Sequence, residues 1–355
     1  MQALPFRRQM FLLLAERMNQ ERSIQALYHI LTGKKSSQTI QDIKWYDVTY
    51  FFRMFPYWKE TEFEQETKDM QNNRYIASEN NRIIITEKGR SQNETFRCDY
   101  RWPPVFNGWL YGKSAAVFWK RTALFVQCLS QTLAGNRRFL PVFEDISVQQ
   151  WLKKNWPRTI EGKKQTASEL FVELRDLLRE LDDGDAFLVM NRISGYHLTG
   201  QTWTQLSNRL EMSEDECRFR FLSAVHYLLE HADRSSTLVR AASGLAIRDI
   251  LTETTKKTLR YMNEGHGMEQ IARARNLKMS TIEDHFVEIA SEQKEFPIGD
   301  FVTEDDQRLI LHYAKTLQTK RLKVLKEAVS PAEHLDYFCI RLTLAFYGRD
   351  DNGQA

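Results

Sequence analysis

The string NGWLYGKS holds the residues closest to a catalytic pattern. A phosphate loop needs glycine at both ends, because only then can successive backbone N–H groups wrap the phosphates before the helix starts. Gly112, Lys113 and Ser114 supply the second half, but Asn107 stands at the leading glycine position, and Pro103 and Pro104 occupy the place of the preceding strand. Lys113 therefore reads as a lysine at a helix start. No Asp-Glu box follows an apolar strand, so an independent ATP motor is not expected. The histidines are scattered, and His226 and His231 have no carboxylate or cysteine at ligand spacing. Cys98, Cys128, Cys217 and Cys339 form no CxxC pair and read as ordinary buried thiols of a reducing compartment. The expectation is a chain with no catalytic centre, no metal and no cofactor.

Binding chemistry is better represented. Fifty basic against forty-seven acidic residues leave a net charge of +3, so no global field gathers polyanions and local patches would have to do so. In one patch Arg74, Arg82, Lys88 and Arg90 outweigh Glu79 and Glu87, the excess that phosphate contact requires. In a second, Lys256, Lys257 and Arg260 could join Arg273, Arg275 and Lys278, with Thr281 and His285 then nearest a DNA groove. Against this, the bases Arg273, Arg275 and Lys278 face Glu269, Glu283, Asp284 and Glu288, a balance poor for phosphate contact.

The elements that must carry these residues are mostly helices. From Ser23, the residues Ile24, Leu27, Tyr28 and Leu31 recur at helical spacing and Gly33 ends the run. Further helices are expected around Ser37 to Ile43 and Glu60 to Asn72. The segment RYIASENNRIIITEKGR predicts two strands, Arg74 to Ala77 and Arg82 to Thr86, turned at Glu79-Asn80-Asn81. Helices followed by such a hairpin look like a winged helix. From about Thr95 to Trp156 the chain is rich in aromatic residues and predicts a helix from Ser114 to Leu133, stopped by Gly135. Polar Arg158 to Thr166 reads as a linker, Leu170, Leu174, Leu177, Leu178 and Leu181 as one helix face, and Ala241 to Ala246 as a second break.

The segment Gly267 to Ala290 fits a helix-turn-helix. Ile271 and Ala272 sit where the first helix packs, Asn276 occupies the turn, and Leu277 and Ile282 plug the core. Ser280 or Thr281 is expected to cap the second helix, with Glu283 completing a capping box, and Thr255 to Asn263 to form a supporting helix with Leu259 and Met262 inward. A second unit lies at Thr199 to His231. Leu206 and Ser207 hold its packing positions, Leu210 and Met212 flank its turn, and Ser213 with Glu216 is expected to form another capping box before Phe219, Leu222 and Val225. It resembles sigma-factor region four, but Glu214, Asp215 and Glu216 open its second helix with the wrong sign for phosphates, favouring a structural or protein-binding role.

Three blocks in order carry a family resemblance: LRYMNEGHGMEQIARARNLKMSTIEDHFVEIA, then FPIGDFVTEDDQRLI, then RLKVLKEAVSPAEHLDYFCIRLTLAF. They resemble the helix-turn-helix domain at the C-terminus of many RecQ-type helicases, notably in Leu322 to Glu327 and Ile340 to Leu342, and the whole chain is similar to the YpbB-like family. The resemblance implies an association with a RecQ-type helicase.

Together these readings predict a mainly α chain with an N-terminal winged-helix-like domain bearing a β-hairpin, a central aromatic-rich helical region and a C-terminal helix-turn-helix domain. The expected domains are 1–157, 165–240 and 247–349, with a capped helix from Thr303 bearing Leu309, Ile310, Tyr313 and Leu317, and a last helix offering Tyr337, Ile340, Leu342 and Leu344, so that the last domain is separable. The expected function is a non-catalytic accessory protein of DNA maintenance, binding a RecQ-type helicase, with DNA contact left open. The alternative is a sequence-specific transcription regulator. The N-terminal apolar stretch is short and meets Glu16 and Arg17, unlike a signal peptide, and no run reaches the roughly 18 apolar residues of a membrane span. A cytoplasmic, membrane-free location follows, with nucleoid association open.

Overall fold

The computed structural model describes residues 4–18, 21–79, 82–245, 251–329, 332 and 334–348. In chain order the first elements are α1 (Phe6–Arg17), α2 (Ile24–Thr32), α3 (Ser37–Trp45), α4 (Glu60–Asn72), β1 (Ile76–Glu79), β2 (Arg82–Ile85) and α5 (Glu87–Asp99). The short α6 (Gly108–Tyr111), α7 (Ser114–Leu133), α8 (Ile146–Asn155), α9 (Ile160–Leu178), α10 (Asp183–Asn191), α11 (Trp203–Leu210), α12 (Glu214–Glu230) and α13 (Leu238–Ala242) follow. The chain continues with α14 (Glu253–Asn263), α15 (Met268–Arg275), α16 (Met279–Glu292), α17 (Glu304–Thr316), α18 (Leu322–Ala328) and α19 (Tyr337–Tyr347). The fold is mainly helical, with one described hairpin.

Local signals set many ends. Ser23 caps α2 through Ala26 N, and Gly33 closes it at φ 82°, the left-handed conformation that suits glycine. The hairpin is displaced from its expected place. Arg74 adopts φ 58°, so the chain leaves α4 in a tight reversal and extends only from Ile76, pairing Ile76 with Ile85 and Glu79 with Arg82. The expected turn at Asn80 and Asn81 lies outside the described residues. Thr86 then donates from Oγ1 to Arg74 O at 2.6 Å and accepts from Gly89 N at 3.2 Å, starting α5. A Cβ on Gly89 would meet Tyr75 O at 2.3 Å, so this approach requires glycine. The expected linker at Arg158 to Thr166 is instead helical from Ile160, because Thr159 caps the segment by accepting from Gly162 N and Thr166 is buried in the same helix.

Contacts group the chain otherwise than the composition breaks suggest. One compact unit is Met1–Gln9 with Phe96–Arg248, and the other is Met10–Thr95 with Asp249–Ala355. The aromatic-rich region thus shares a core with the helices expected to form 165–240, while the segment carrying the hairpin shares one with the C-terminal helices. A boundary at Ala246 or Ile247 lies outside the described residues.

In the first unit α7 packs on α8, α9 and α12, and α10 packs on α11 and α12. Phe118, Phe125, Leu174, Leu188, Leu206, Val225 and Leu228 lie in its core. Leu206 is fully buried and Glu211 turns at φ 55° between α11 and α12, as the second helix-turn-helix-like unit requires. Ser213 accepts from Glu216 N. Helix α12 is enclosed over most of its length, so few of its side chains face water. Its Arg220 donates from Nε to Asp185 Oδ1 at 2.6 Å with both side chains buried, and burial pushes Asp185 up to about 6.

In the second unit α16 is the centre. It packs on α14 and α15, on α19, and on α3. Seven consecutive residues, His285, Phe286, Val287, Glu288, Ile289, Ala290 and Ser291, are buried, so no side of this stretch faces water. In the helix capped by Thr303 the expected stripe is partial: Ile310 is buried, whereas Leu317 is exposed beyond the last turn. Tyr337 is likewise exposed, while Ile340, Leu342 and Leu344 are buried.

Candidate nucleic-acid interface

The turn between α15 and α16 has the expected form. Asn276 sits at φ 50° and ψ 50°, and its N–H reaches the last carbonyls of α15. Ile271 and Ile282 are fully buried. The cap of α16 differs from expectation: the helix starts at Met279 with Lys278 as its first flanking residue and no side-chain cap, so Ser280 and Thr281 already lie inside the helix.

The supporting helix faces α16 with hydroxyls. Thr255 and Thr258 are its buried residues, whereas Leu259 and Met262 are half-buried. Glu288 of α16 accepts from Thr252 N at 2.5 Å, Thr252 Oγ1 at 3.1 Å and Thr255 Oγ1 at 2.5 Å. Burial holds its carboxyl above the usual range in spite of these donors. His285 is also buried, with Nδ1 at 2.8 Å from Thr258 Oγ1 and Nε2 at 3.3 Å from Thr254 Oγ1. Desolvation, then the charge of Arg275, lowers it to about 4, so it is neutral near pH 7. It does not stand at a groove-facing surface, contrary to the sequence expectation.

Arg275 is turned inward as well. Its guanidinium donates to Thr258 Oγ1 and, at 2.9 Å, to Thr254 Oγ1, tying α15 to α14. Lys256 pairs with Glu253 at 2.6 Å. That leaves Lys257, Arg260, Arg273 and Lys278, all exposed, and none of them forms an ion pair among the described residues. Lys257 and Arg260 lie three residues apart on one side of α14, and Arg273 and Lys278 flank the turn. Thr281 is half-buried near the start of α16.

The acids change role too. Asp284 accepts from Ser37 Oγ at 2.9 Å and from the Arg341 guanidinium, and Glu292 meets Lys44 at 3.2 Å. Two of the four acids counted against phosphate contact, Asp284 and Glu288, are thus consumed inside the unit. The surface of the module is more basic than its sequence.

The hairpin patch is only partly free. Lys88 donates to Asn73 O at 2.9 Å and lies 4.1 Å from the Tyr75 ring centroid, and Arg90 donates to Ile85 O at 3.2 Å. Arg74 is exposed and Arg82 half-buried beside its partner Glu79 in the ladder. The structure does not gather the two patches into one described site.

Sequence reasoning missed Ser37, Gln41 and Arg341, which fasten α16. A signal was present: Phe286, Val287, Ile289 and Ala290 put apolar side chains on more of α16 than a helix with a free face carries. The string NGWLYGKS is also resolved. Asn107 accepts from Leu110 N at 2.9 Å, and Gly112 and Lys113 have right-handed helical angles leading into α7, so no open loop exists to wrap a phosphate. His226, fully buried, accepts from Asn107 N at 3.2 Å and is lowered to about 3 by desolvation. Cys98 is exposed, unlike the expected buried thiol.

A family described as "Helix-turn-helix domain" matches residues 254–344, from α14 into α19. Over 332 residues, 92% of this chain and 94% of the relative, the sequence is 31% identical to "Protein YpbB" of Bacillus subtilis (strain 168). The chain belongs to the YpbB family. No solved structure matches it. Within this family member the helix-turn-helix match supports DNA binding. No helix among the described residues is long and apolar enough to cross a membrane.

Proposed function

We propose that this chain is an accessory protein of DNA maintenance, without catalysis of its own, that grips DNA through phosphates and works beside a RecQ-type helicase. The observation that carries the DNA part is the set of cations Lys257, Arg260, Arg273 and Lys278, exposed and without an ion pair among the described residues, around a helix-turn-helix whose second helix is enclosed from His285 to Ser291. Phosphate contact needs exposed cations and carries no sequence information, whereas base reading needs a helix that can enter the major groove. With His285 to Ser291 buried, the accessible side chains before that stretch are Met279, Ser280 and Thr281, followed by the half-buried acids Glu283 and Asp284. That supports an accessory binder over a sequence-specific regulator. The helicase part is supported by the three blocks resembling the C-terminal module of RecQ-type helicases, which a helicase lacking the module would receive in trans.

Two measurements test the reading separately. Gel shifts on duplex, forked and single-stranded DNA should show binding with little sequence preference and steep salt dependence; strong preference for one duplex sequence would favour the regulator. Purified chain and a RecQ-type helicase from the same host should associate in an equilibrium binding assay. Absence of association would remove the helicase from the proposal and leave the DNA part standing.

A further inference from the structure

A groove of about 550 Å³ opens between α7, α9 and α10 in the first unit. Leu170, Leu174 and Leu178 form its floor. Its lips are large apolar side chains in solvent: Phe171 is 61% exposed, Leu198 58%, Met190 46% and Tyr196 42%. Single exposed apolar residues are ordinary, but a cluster around one concave face marks a binding surface.

One lip is held rigidly. Gly195 and Leu198 exchange backbone hydrogen bonds at 2.8 and 3.2 Å, Ser130 Oγ accepts from Tyr196 N at 2.9 Å, and Gln131 donates to Gly195 O at 3.2 Å. A Cβ on Gly195 would lie 2.9 Å from Ser130 Oγ, so the turn sits this close to α7 because the residue is glycine. Tyr196 and Leu198 are therefore carried into solvent by a fixed turn.

The α9 side, from floor to lip, is a helix seam. Ala167, Phe171, Leu174 and Leu178 follow one another at steps of four, three and four, the spacing by which one helix receives the side chains of another. From Ala167 to Arg179 this side rises about 18 Å, a little over three helical turns. Arg175 and Arg179 stand in the lining against a single acid, Asp183. Arg179 is exposed without an ion pair among the described residues, and Arg175 pairs with its sequence neighbour Asp176 at 2.8 Å and lies 5.9 Å from the centroid of the Phe171 ring.

We propose that this groove receives an amphipathic helix of about three turns from a partner protein, with apolar residues at i, i+3 or i+4 and i+7 on its buried side and Glu or Asp on the flank facing Arg175 and Arg179. The lining residues all belong to the first unit, and the cations proposed for DNA contact to the second.

The test uses the full chain and two labelled synthetic helical peptides of about fourteen residues with identical leucine faces, one bearing Glu and the other Lys on the same flank, read by fluorescence anisotropy. The Glu peptide should bind saturably and about fivefold more tightly than the Lys peptide. Phe171→Asp should weaken it about tenfold or more, and Arg179→Glu should reverse the preference. Both positions are exposed, so unchanged melting curves separate lost docking from unfolding. No saturable binding, binding indifferent to Phe171→Asp, or a preference unmoved by Arg179→Glu would overturn the proposal. Self-association in sedimentation that Phe171→Asp removes would assign the groove to a second copy of the chain and overturn it equally.

Discussion

Ser37 on α3 donates from Oγ to Asp284 Oδ2 on α16 at 2.9 Å across 247 positions of sequence. The other carboxylate oxygen accepts from Arg341 on α19, whose Nε also donates to Gln41 Oε1 at 3.3 Å. Removing the cation leaves a half-buried carboxylate without its counter-charge. Arg341→Ala should therefore lower unfolding free energy by about 1–2 kcal/mol, less than a fully buried pair would cost. Urea denaturation checks this, and Arg341→Lys should restore only part, because a lysine cannot span both acceptors.

The same tie bears on truncation. Sequence breaks predict that the last hundred or so residues fold alone, but α16 and α19 both bury surface against α3. A fragment covering residues 251–348 should melt broadly and at lower temperature than the full chain, and adding residues 10–95 in trans should sharpen the transition. A cooperative melt of the isolated fragment matching the full chain would refute this expectation.

Arginines two positions apart should behave oppositely. Arg273→Ala, at an exposed cation, should leave the melting temperature unchanged and reduce the slope of log affinity against log salt on duplex DNA by about 0.9, one phosphate contact. Arg275→Ala should lower the melting temperature, because it deletes the link to Thr254 and Thr258, and leave the salt slope as it was. Lys257→Ala and Arg260→Ala should follow Arg273.

His285 gives a pH signature. Folding lowers it to about 4, against an ordinary imidazole near 6.5 in the unfolded chain, a value set by the model peptides. Between those values the unfolded chain binds more protons, so the contribution is present above about 6.5 and is lost as pH falls toward 4. The neighbouring Arg275, Asp284 and Glu288 are common to the wild type and a His285→Gln variant, so the difference between the two isolates this group. The stability advantage of the wild type should shrink as pH falls through that window; a constant gap would show that His285 titrates alike in both states.

Asn276 turns between α15 and α16 at φ 50°. Asn276→Gly should be tolerated, with a change within about 1 kcal/mol, because glycine takes this conformation freely but also gains freedom when unfolded. Asn276→Val should cost about 1–2 kcal/mol or more, since a β-branched residue is strained there. Thermal melts of the two variants decide.

Much was legible in the residues themselves. Ser23 and Gly33 fixed both ends of α2, Glu60 to Asn72 and Ser114 to Leu133 were read with their observed bounds, and Ile271, Asn276 and Ile282 marked the helix-turn-helix. These are local or short-range signals, caps, glycines and apolar periods, whose cause lies within a few residues of their effect. Sequence alone also marked the cationic residues, since charge is a property of residue type. It could not decide which cations face water. Arg275 and Arg273 differ by two positions and not at all in type, and only the placement of α14 makes one a half-buried strut and the other an exposed charge. In the same way Asp284 and Glu288 counted as free surface acids until α3 and α19 supplied partners for the first and α14 for the second. Burial and pairing across hundreds of positions depend on which helices meet, and that is settled by packing of whole faces, so the charge of the candidate interface became readable only in the tertiary structure.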